Sequence, residues 1–183
     1  MSEIDRLEES VLVLRWRVGD GKALAELIDR YDRPLRYFVS HLSDGPEMTE
    51  DAIQDTWLGV IGKLHTLRKA GSFRAWLYRI ARNAAYQQLR RKKRTCEFRD
   101  DLGLPDERPD DAISPLDAAR VHAGLKRLSP AHREVLALRF IEEMTYDEVA
   151  EVLGCGLNTV KSRIHYAKLA LRKGMEEDHG KRQ

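Results

Sequence analysis

Two short amphipathic segments near the C-terminus are separated by a glycine-containing break, and this pattern constrains the fold more than any other feature of the chain. The first segment follows Thr145 and has apolar residues at helical spacing. Glu148, three residues after Thr145, completes the sequence signature of a capping box at a helix start. The break is Gly154-Cys155-Gly156, and the second segment begins near Asn158, a favourable N-cap residue. The pattern predicts a helix-turn-helix.

The second of these helices has an apolar face and a polar face. Val160, Ile164, Ala167 and Leu171 recur one turn apart and are predicted to face inward. A helix held in this way presents its N-terminal part to base edges in the major groove of DNA. An ordinary helical hairpin with a solvated basic face would have the same pattern. If this helix binds duplex DNA, the candidate DNA-binding residues are Thr159, Lys161, Ser162, Arg163, His165, Tyr166 and Lys168.

Helical periodicity also runs through the N-terminal half of the chain. Leu24, Leu27, Ile28 and Tyr31 fall on one stripe, and the sequence has no alternating strand pattern of useful length. Residues 95–115 hold three prolines and seven acidic residues against two basic ones, a composition typical of a flexible linker. We predict an all-α protein with a helical domain over residues 1–94, an acidic flexible linker over 95–115, a helix-turn-helix domain over 116–175 and a polar tail over 176–183.

A further amphipathic segment follows Thr49. Ile53, Trp57, Val60 and Leu64 recur at helical spacing and are predicted to face the core. The opposite, outward face is mostly acidic. Acidic residues near a helix N-terminus are favoured by the helix dipole alone, so an acidic face of this kind is more often structural than functional. The alternative is a binding face, which would consist of Glu50, Asp51, Gln54, Asp55 and Leu58.

The segment from Phe73 to Arg94 interleaves aromatic residues with arginines. Its predicted buried stripe is Leu77, Ile80, Ala81 and Ala84. Bases of single-stranded nucleic acid stack on aromatic rings while arginines follow the backbone, so the other face suits a melted strand. We favour a core position for Phe73 and Leu77. The candidates for nucleic-acid contact are Trp76, Arg79, Arg82, Asn83, Tyr86 and the basic run from Arg90 to Arg94.

The composition excludes several classes of protein. Cys96 and Cys155 are far apart and outside any Cys-x-x-Cys pattern, so neither a disulfide framework nor a zinc site is indicated. The six histidines are scattered, and no metal-ligand or nucleophile cluster is present. No apolar run approaches a membrane span, and the acidic N-terminus lacks the features of a signal peptide. We therefore expect a cytoplasmic protein with no membrane insertion, cofactor, metal or catalytic residue.

In this order, the segments resemble the sigma factors of bacterial RNA polymerase, and in particular the small two-domain extracytoplasmic-function (ECF) group. The resemblance covers about residues 20–173. E-D-A-I-Q-D-T-W from Glu50 is similar to the family's core-polymerase-binding helix, and F-R-A-W-L-Y-R-I-A-R-N from Phe73 is similar to its promoter-melting segment. L-S-P-A-H-R-E-V-L-A-L-R-F from Leu128, together with the helix-turn-helix, is similar to its minus-35 reader.

The resemblance implies a subunit that binds core RNA polymerase and directs promoter-specific initiation without catalysis of its own. It implies that Asp51, Gln54, Asp55 and Leu58 meet the clamp of the largest polymerase subunit, and that the acidic linker enters the active-site cleft. It also implies an anti-sigma factor as a partner. The residues implied to bind and melt the minus-10 element of promoter DNA are Lys63, Leu67, Arg68, Lys69, Trp76, Tyr78, Arg79, Asn83, Tyr86, Arg90 and Arg91.

Two other classes of protein fit parts of the sequence. A free-standing transcription regulator would use the first domain to sense a ligand or to dimerise, but a basic-aromatic helix stands where a sensor needs an apolar pocket. An enzyme acting on nucleic acid would need a catalytic constellation, which the scattered histidines do not supply. Specific binding to duplex DNA without polymerase would favour the regulator.

Overall fold

The computed structural model of the protein describes residues 3–96, 124, 125 and 128–180. All regular structure in these ranges is helical, as the sequence predicts, and the chain divides into two compact units. The N-terminal unit contains α1 (Glu3–Arg17), α2 (Gly21–Ser40), α3 (Pro46–Lys63) and α4 (Phe73–Cys96), with short 3₁₀ turns at Leu64–Thr66 and Ala70–Ser72. The C-terminal unit contains α5 (Pro130–Leu136), a π-helical turn (Ala137–Ile141), α6 (Tyr146–Leu153) and α7 (Leu157–Gly180).

Aromatic rings form the centre of the N-terminal unit. The rings of Phe38 on α2 and Tyr78 on α4 lie 5.2 Å apart, and those of Tyr31 and Phe73 lie 5.8 Å apart in an edge-on arrangement. Such pairs stabilise a core beyond the area that they bury. α3 packs tightly against α4. A Cβ added at Gly59 of α3 would lie only 3.2 Å from Cγ2 of Ile80 of α4, which shows how close the two helices are.

A buried carboxyl group fastens α1 to the rest of this unit. Glu9 is only 1% exposed, and it accepts hydrogen bonds from the hydroxyl of Tyr31 and the backbone N–H of Arg74. Burial raises the pKa of Glu9 above its ordinary value, while these two hydrogen bonds and the Arg74 guanidinium act in the opposite direction. Glu9 therefore links α1, α2 and the first turn of α4 through one side chain.

Side-chain caps start the first two helices of the C-terminal unit. The hydroxyl of Ser129 accepts from the N–H of His132 at the start of α5. At the start of α6, the N–H of Glu148 donates to Thr145 Oγ1 at 3.2 Å, and the N–H of Thr145 donates back to Glu148 Oε2 at 2.7 Å. Both halves of the predicted capping box are confirmed. α6 then ends at Gly154, whose φ of 63° favours glycine.

The structure corrects several details of the sequence interpretation. Asn158 is not the cap of α7, because the N–H of Val160 donates to the carbonyl of Gly156, which makes Gly156 the cap and puts Asn158 in the first turn. The spacing of the sequence puts Tyr146 on the apolar face of α6 with Val149 and Leu153, but its side chain is exposed, and the Arg139 guanidinium lies 5.3 Å from its ring centroid. α7 continues to Gly180, so residues 176–180 of the predicted polar tail are helical, and the boundary of that tail stays a prediction.

Most of the predicted linker lies outside the described residues. α4 extends to Cys96 and so takes up residues 95 and 96, and residues 97–115 are not described. The predicted start of the second domain near residue 116 also falls outside the described ranges, so the domain boundaries remain predictions. Among the residues that the structure describes, no helix is both long enough and apolar enough to span a membrane.

Candidate polymerase and nucleic-acid interfaces

The outward face of α3 is as the sequence predicts. Asp51 and Gln54 are exposed, and Leu58 exposes 61% of its surface although it is apolar. Asp55 is half-buried because α4 holds it: Gln88 Nε2 donates to its carboxylate at 2.8 Å, and Arg91 Nη1 lies 3.7 Å from the same oxygen. The four residues share one face, but Asp55 also ties α3 to α4.

Beside this face, α2 and α3 form a shallow, open groove that the sequence did not predict. Its volume is about 380 Å³. Its walls combine apolar and charged side chains, and it is lined by Asp32, Arg36, Glu50, Ile53, Gln54, Trp57, Leu58 and Ile61.

Charged residues from both helices form the rim of the groove. Arg36 Nε donates to Asp32 at 2.6 Å, and its Nη1 donates to Glu50 on α3. These hydrogen bonds, Glu50 first and Asp32 second, raise the pKa of Arg36, so its guanidinium stays charged. Trp57 Nε1 lies 3.4 Å from Asp32 Oδ1 and donates to it. Ile61 is exposed beside Leu58. The sequence interpretation put Trp57 in the core, which is wrong: it is half-buried and lines the groove.

The polar face of α4 carries exposed hydrogen-bonding and basic groups. Arg79, Asn83 and Arg90 are exposed and recur at helical spacing. Tyr86 is half-buried, and the guanidinium of Arg82 lies 4.8 Å from its ring centroid. Arg91 is also exposed, and so are three basic residues that precede the helix, Lys63, Arg68 and Lys69.

Three residues proposed for the minus-10 element belong to the core instead. Trp76 is 6% exposed with its ring 6.1 Å from that of Phe73, and the prediction that it lies on the polar face is wrong. Tyr78 is fully buried against Phe38, and Leu67 is buried as well. The reason is that α1, α2 and α3 all contact α4. The start of α4 is therefore covered on every side, and all residues from 73 to 78 are buried. These side chains cannot stack on bases in this conformation.

The N-terminal part of α7 presents the predicted polar face. Thr159, Lys161, Ser162, His165, Tyr166 and Lys168 are all exposed, while Arg163 is half-buried. On the opposite side Val160, Ile164 and Ala167 are buried, as predicted, whereas Leu171, which was also predicted to face inward, is half-buried.

Two contacts order side chains on this face of α7. The ring of His165 lies edge-on to that of Tyr166, with centroids 5.5 Å apart. Lys168 Nζ lies 4.7 Å from the ring centroid of Phe140 in the π-helical turn. Lys168 is therefore held toward the neighbouring segment, whereas His165 and Tyr166 contact each other.

The same two parts of the chain match two known sequence families. Sigma-70 region 2 matches residues 27–95, and Sigma-70, region 4 matches residues 124–173. The chain belongs to the sigma-70 family. It is a sigma factor of the ECF group, and it directs promoter-specific transcription initiation rather than catalysing a reaction. The part of this sigma factor that the structure describes contains no cluster of three or more metal-ligating side chains.

Its relatives align along nearly their whole length. The ECF RNA polymerase sigma factor SigL of Mycobacterium tuberculosis is 32% identical over 87% of this chain and 92% of its own. The ECF RNA polymerase sigma factor SigW of Bacillus subtilis is 27% identical with the same coverage, 87% and 92%. The sigma factor RpoE of Bartonella quintana, crystallised with the anti-sigma factor NepR, superposes with a TM-score of 0.76 at 27% identity, covering 85% of this chain and 98% of that one.

The sequence interpretation missed the residues that α2 contributes to the groove. Asp32 and Arg36 stand one turn apart, a spacing that suggests only an ordinary pair within a helix. Nothing in that spacing shows that Arg36 also reaches Glu50, fourteen residues away on another helix. The exposed apolar pair Leu58 and Ile61 was the available signal, since large apolar residues on an otherwise polar face often mark a contact surface.

Proposed function

We propose that this sigma factor binds core RNA polymerase through the groove and the adjoining outer face of α3. The observation that carries the proposal is the exposed apolar pair Leu58 and Ile61 beside half-buried Trp57, bordered by the charges of Arg36 and Glu50. Protein interfaces typically have such an apolar centre with a polar rim. An aromatic residue in a pocket is a common energetic centre of such interfaces.

We further propose that α7 reads duplex DNA at the minus-35 element. Its N-terminal half leaves Lys161 and Ser162 exposed and without a ring contact, while the opposite face is buried in the unit. A lysine can donate to guanine O6 and N7, and a serine can donate or accept at either kind of base pair. His165 and Tyr166 extend the same surface by another turn. These four residues therefore form the base-reading set, and Lys168 is assigned to phosphate contact.

The melted minus-10 strand is assigned to the polar face of α4. With Trp76 and Tyr78 in the core, the groups left for this role are Asn83 and the exposed arginines, together with the Arg82–Tyr86 pair. The Asn83 amide offers both a donor and an acceptor to a base edge. A guanidinium stacked over a ring adds a planar cation against which a flipped base can lie. The strand is thus held by polar and stacking contacts on one helix face.

The remaining partners and the location follow from these assignments. RpoE is held by an anti-sigma factor in its crystal structure, and we propose a partner of the same kind for this chain. A protein that works with RNA polymerase on promoter DNA acts in the bacterial cytoplasm. Both proposals rest on the family and on the exposed surfaces described above.

The first experiment measures binding to core RNA polymerase. Asp55 is unsuitable for substitution because it also holds α4, so the test variant is Gln54→Ala with Leu58→Ala, both exposed side chains. The matched control is Lys22→Ala with Asp29→Ala, two exposed residues of α2 that do not line the groove. We expect the test variant to bind at least about tenfold more weakly, since two central contacts are lost. The control should bind like the wild type.

Run-off transcription from a genomic promoter library completes the test. Start sites that appear only with this protein and share two spaced motifs are expected. Equal binding by the test variant and the control would refute the assignment of the groove. Failure to bind core polymerase, combined with specific binding to duplex DNA alone, would instead favour a free-standing regulator.

A further inference from the structure

An apolar stripe runs along the outer side of α1 and has no function in the assignments above. It consists of Ile4, Leu7, Val11 and Leu14 on the helix and Val18 directly after it. Each of these side chains is between 51% and 85% exposed. Soluble monomers seldom expose a contiguous row of large apolar residues unless another molecule covers it.

The stripe is not part of the buried core of the N-terminal unit. The buried side of the same helix is formed by Glu9, Leu12 and Val13, which attach it to α2 and α4. The stripe also precedes the match to Sigma-70 region 2, which starts at residue 27. α1 therefore has two faces with apolar residues. One packs inside the N-terminal unit, and the other is left exposed by all of the described residues.

The spacing of the stripe identifies the kind of partner that it fits. The steps from Ile4 to Val18 are three, four, three and four residues, which is the heptad spacing of a coiled coil. β-branched residues occupy the a positions (Ile4, Val11 and Val18), and leucine occupies the d positions (Leu7 and Leu14). An apolar stripe confined to a and d positions is a narrow seam about as wide as one helix, so the partner is a single helix.

The charges beside the stripe identify which helix that is. Glu3 and Glu8 flank its N-terminal half, and Arg15 and Arg17 flank its C-terminal half. In a parallel pair of two copies, Glu3 at g would face Glu8 at e of the other copy, which is repulsive. In an antiparallel pair, the acidic end of each helix faces the basic end of the other.

The stripe is thus complementary to itself in one orientation. Glu8 and Arg15 already form ion pairs within the chain, with Arg30 and with Asp20, each at 2.7 Å. Glu3 and Arg17 are exposed, and neither has an ion pair to another described residue. We propose that two copies of the protein associate through antiparallel pairing of their α1 helices about a two-fold axis, with Glu3 of each copy facing Arg17 of the other.

Sedimentation equilibrium of the full-length protein over a concentration series tests the proposal. The wild type should show a monomer–dimer equilibrium, and the variant Leu7→Glu with Leu14→Glu should be monomeric throughout, because four charges would enter the pairing surface. Both positions are exposed, so the fold is retained, which circular dichroism checks. The control, Leu157→Glu with Leu169→Glu, makes the same change at exposed leucines of α7 and should dimerise like the wild type.

Charge reversal then tests the orientation. Each Glu3–Arg17 contact occurs twice in a two-fold dimer, so Glu3→Arg or Arg17→Glu alone should weaken dimerisation about tenfold. The double variant Glu3→Arg with Arg17→Glu restores opposite charges and should dimerise like the wild type.

Several results would overturn the proposal. In a parallel dimer, Glu3→Arg would strengthen the association, and the double variant would not restore the wild-type constant. A wild type that stays monomeric, or a dimer that tolerates glutamate at positions 7 and 14, would assign the stripe to another occupant.

Discussion

The buried carboxyl group of Glu9 should make the stability of the N-terminal unit depend on pH in a defined direction. Burial raises the pKa of Glu9 in the folded protein above its ordinary value of 4.5. The folded state therefore holds a proton that the unfolded state releases more readily. The contribution of Glu9 to the free energy of unfolding is fully present below pH 4.5, and it is lost as the pH rises through the raised pKa of Glu9. Above that pH, the fold includes a buried carboxylate whose partners are Tyr31 and Arg74.

Two substitutions separate the charge of Glu9 from its hydrogen bonds. Glu9→Gln removes the titration but keeps an acceptor oxygen, so the free energy of unfolding should lose the part of its pH dependence that Glu9 contributes. Glu9→Ala leaves the Tyr31 hydroxyl and the Arg74 N–H buried without this acceptor, at about 1–3 kcal/mol for each group. We therefore expect Glu9→Ala to lower the free energy of unfolding by about 2–6 kcal/mol below pH 4.5, and by less as the pH rises through the raised pKa of Glu9.

Tryptophan fluorescence during urea unfolding measures these effects selectively. The three tryptophans, Trp16, Trp57 and Trp76, all lie in the N-terminal unit, so the signal reports on that unit alone. Glu8→Gln is the matched control on the same helix; it removes an exposed ion pair with Arg30 and should change the stability by less than about 1 kcal/mol. If Glu9→Gln kept the wild-type pH dependence, or Glu9→Ala were as stable as Glu8→Gln, the role assigned to this carboxyl group would be refuted.

Three further predictions concern single residues. Lys161→Ala should weaken holoenzyme binding to its own promoter by about 1–3 kcal/mol, and assays on promoters mutated at single minus-35 positions should show relaxed selectivity; equal weakening on all sequences would mean a phosphate contact only. Because Trp76 is in the core, Trp76→Ala should lower the free energy of unfolding, measured by circular dichroism, by about 3–5 kcal/mol. If Trp76→Ala instead lost promoter opening with unchanged stability, Trp76 would again be a candidate for stacking on bases. Gly154→Ala should cost about 1–2 kcal/mol in thermal unfolding because its φ is 63°. Gly156→Ala, with open space around the added Cβ and no positive φ, should cost less, about 0.5–1 kcal/mol, because alanine is a poorer N-cap than glycine.

The helix-turn-helix could be predicted from the sequence because the residues that define it are close together along the chain. The capping box joins Thr145 to a residue three positions away, and the turn depends on the backbone freedom of Gly154. The division of α7 into a buried and an exposed face likewise follows from spacing along one helix. Such features involve neighbours in the chain and survive any arrangement of the other helices.

The first turns of α4 show where this kind of inference fails. Periodicity in one helix gives a stripe that faces the core, and it assumes that the other faces meet solvent. Trp76 and Tyr78 are off the predicted stripe, yet both are buried because three helices surround this end of α4. How many neighbours a helix has is decided by the packing of the whole unit.

The sequence by itself determined that the chain is helical, where its helix-turn-helix begins and which family it belongs to, since these depend on spacing and on motifs along the chain. Only the tertiary structure decided which candidates are available for binding. Arg36 of α2 reaches Glu50 of α3 at the rim of the groove, and Glu9 of α1 reaches Tyr31 and the N–H of Arg74. Those contacts join residues 14 to 65 positions apart, and no local pattern specifies which distant side chains will meet.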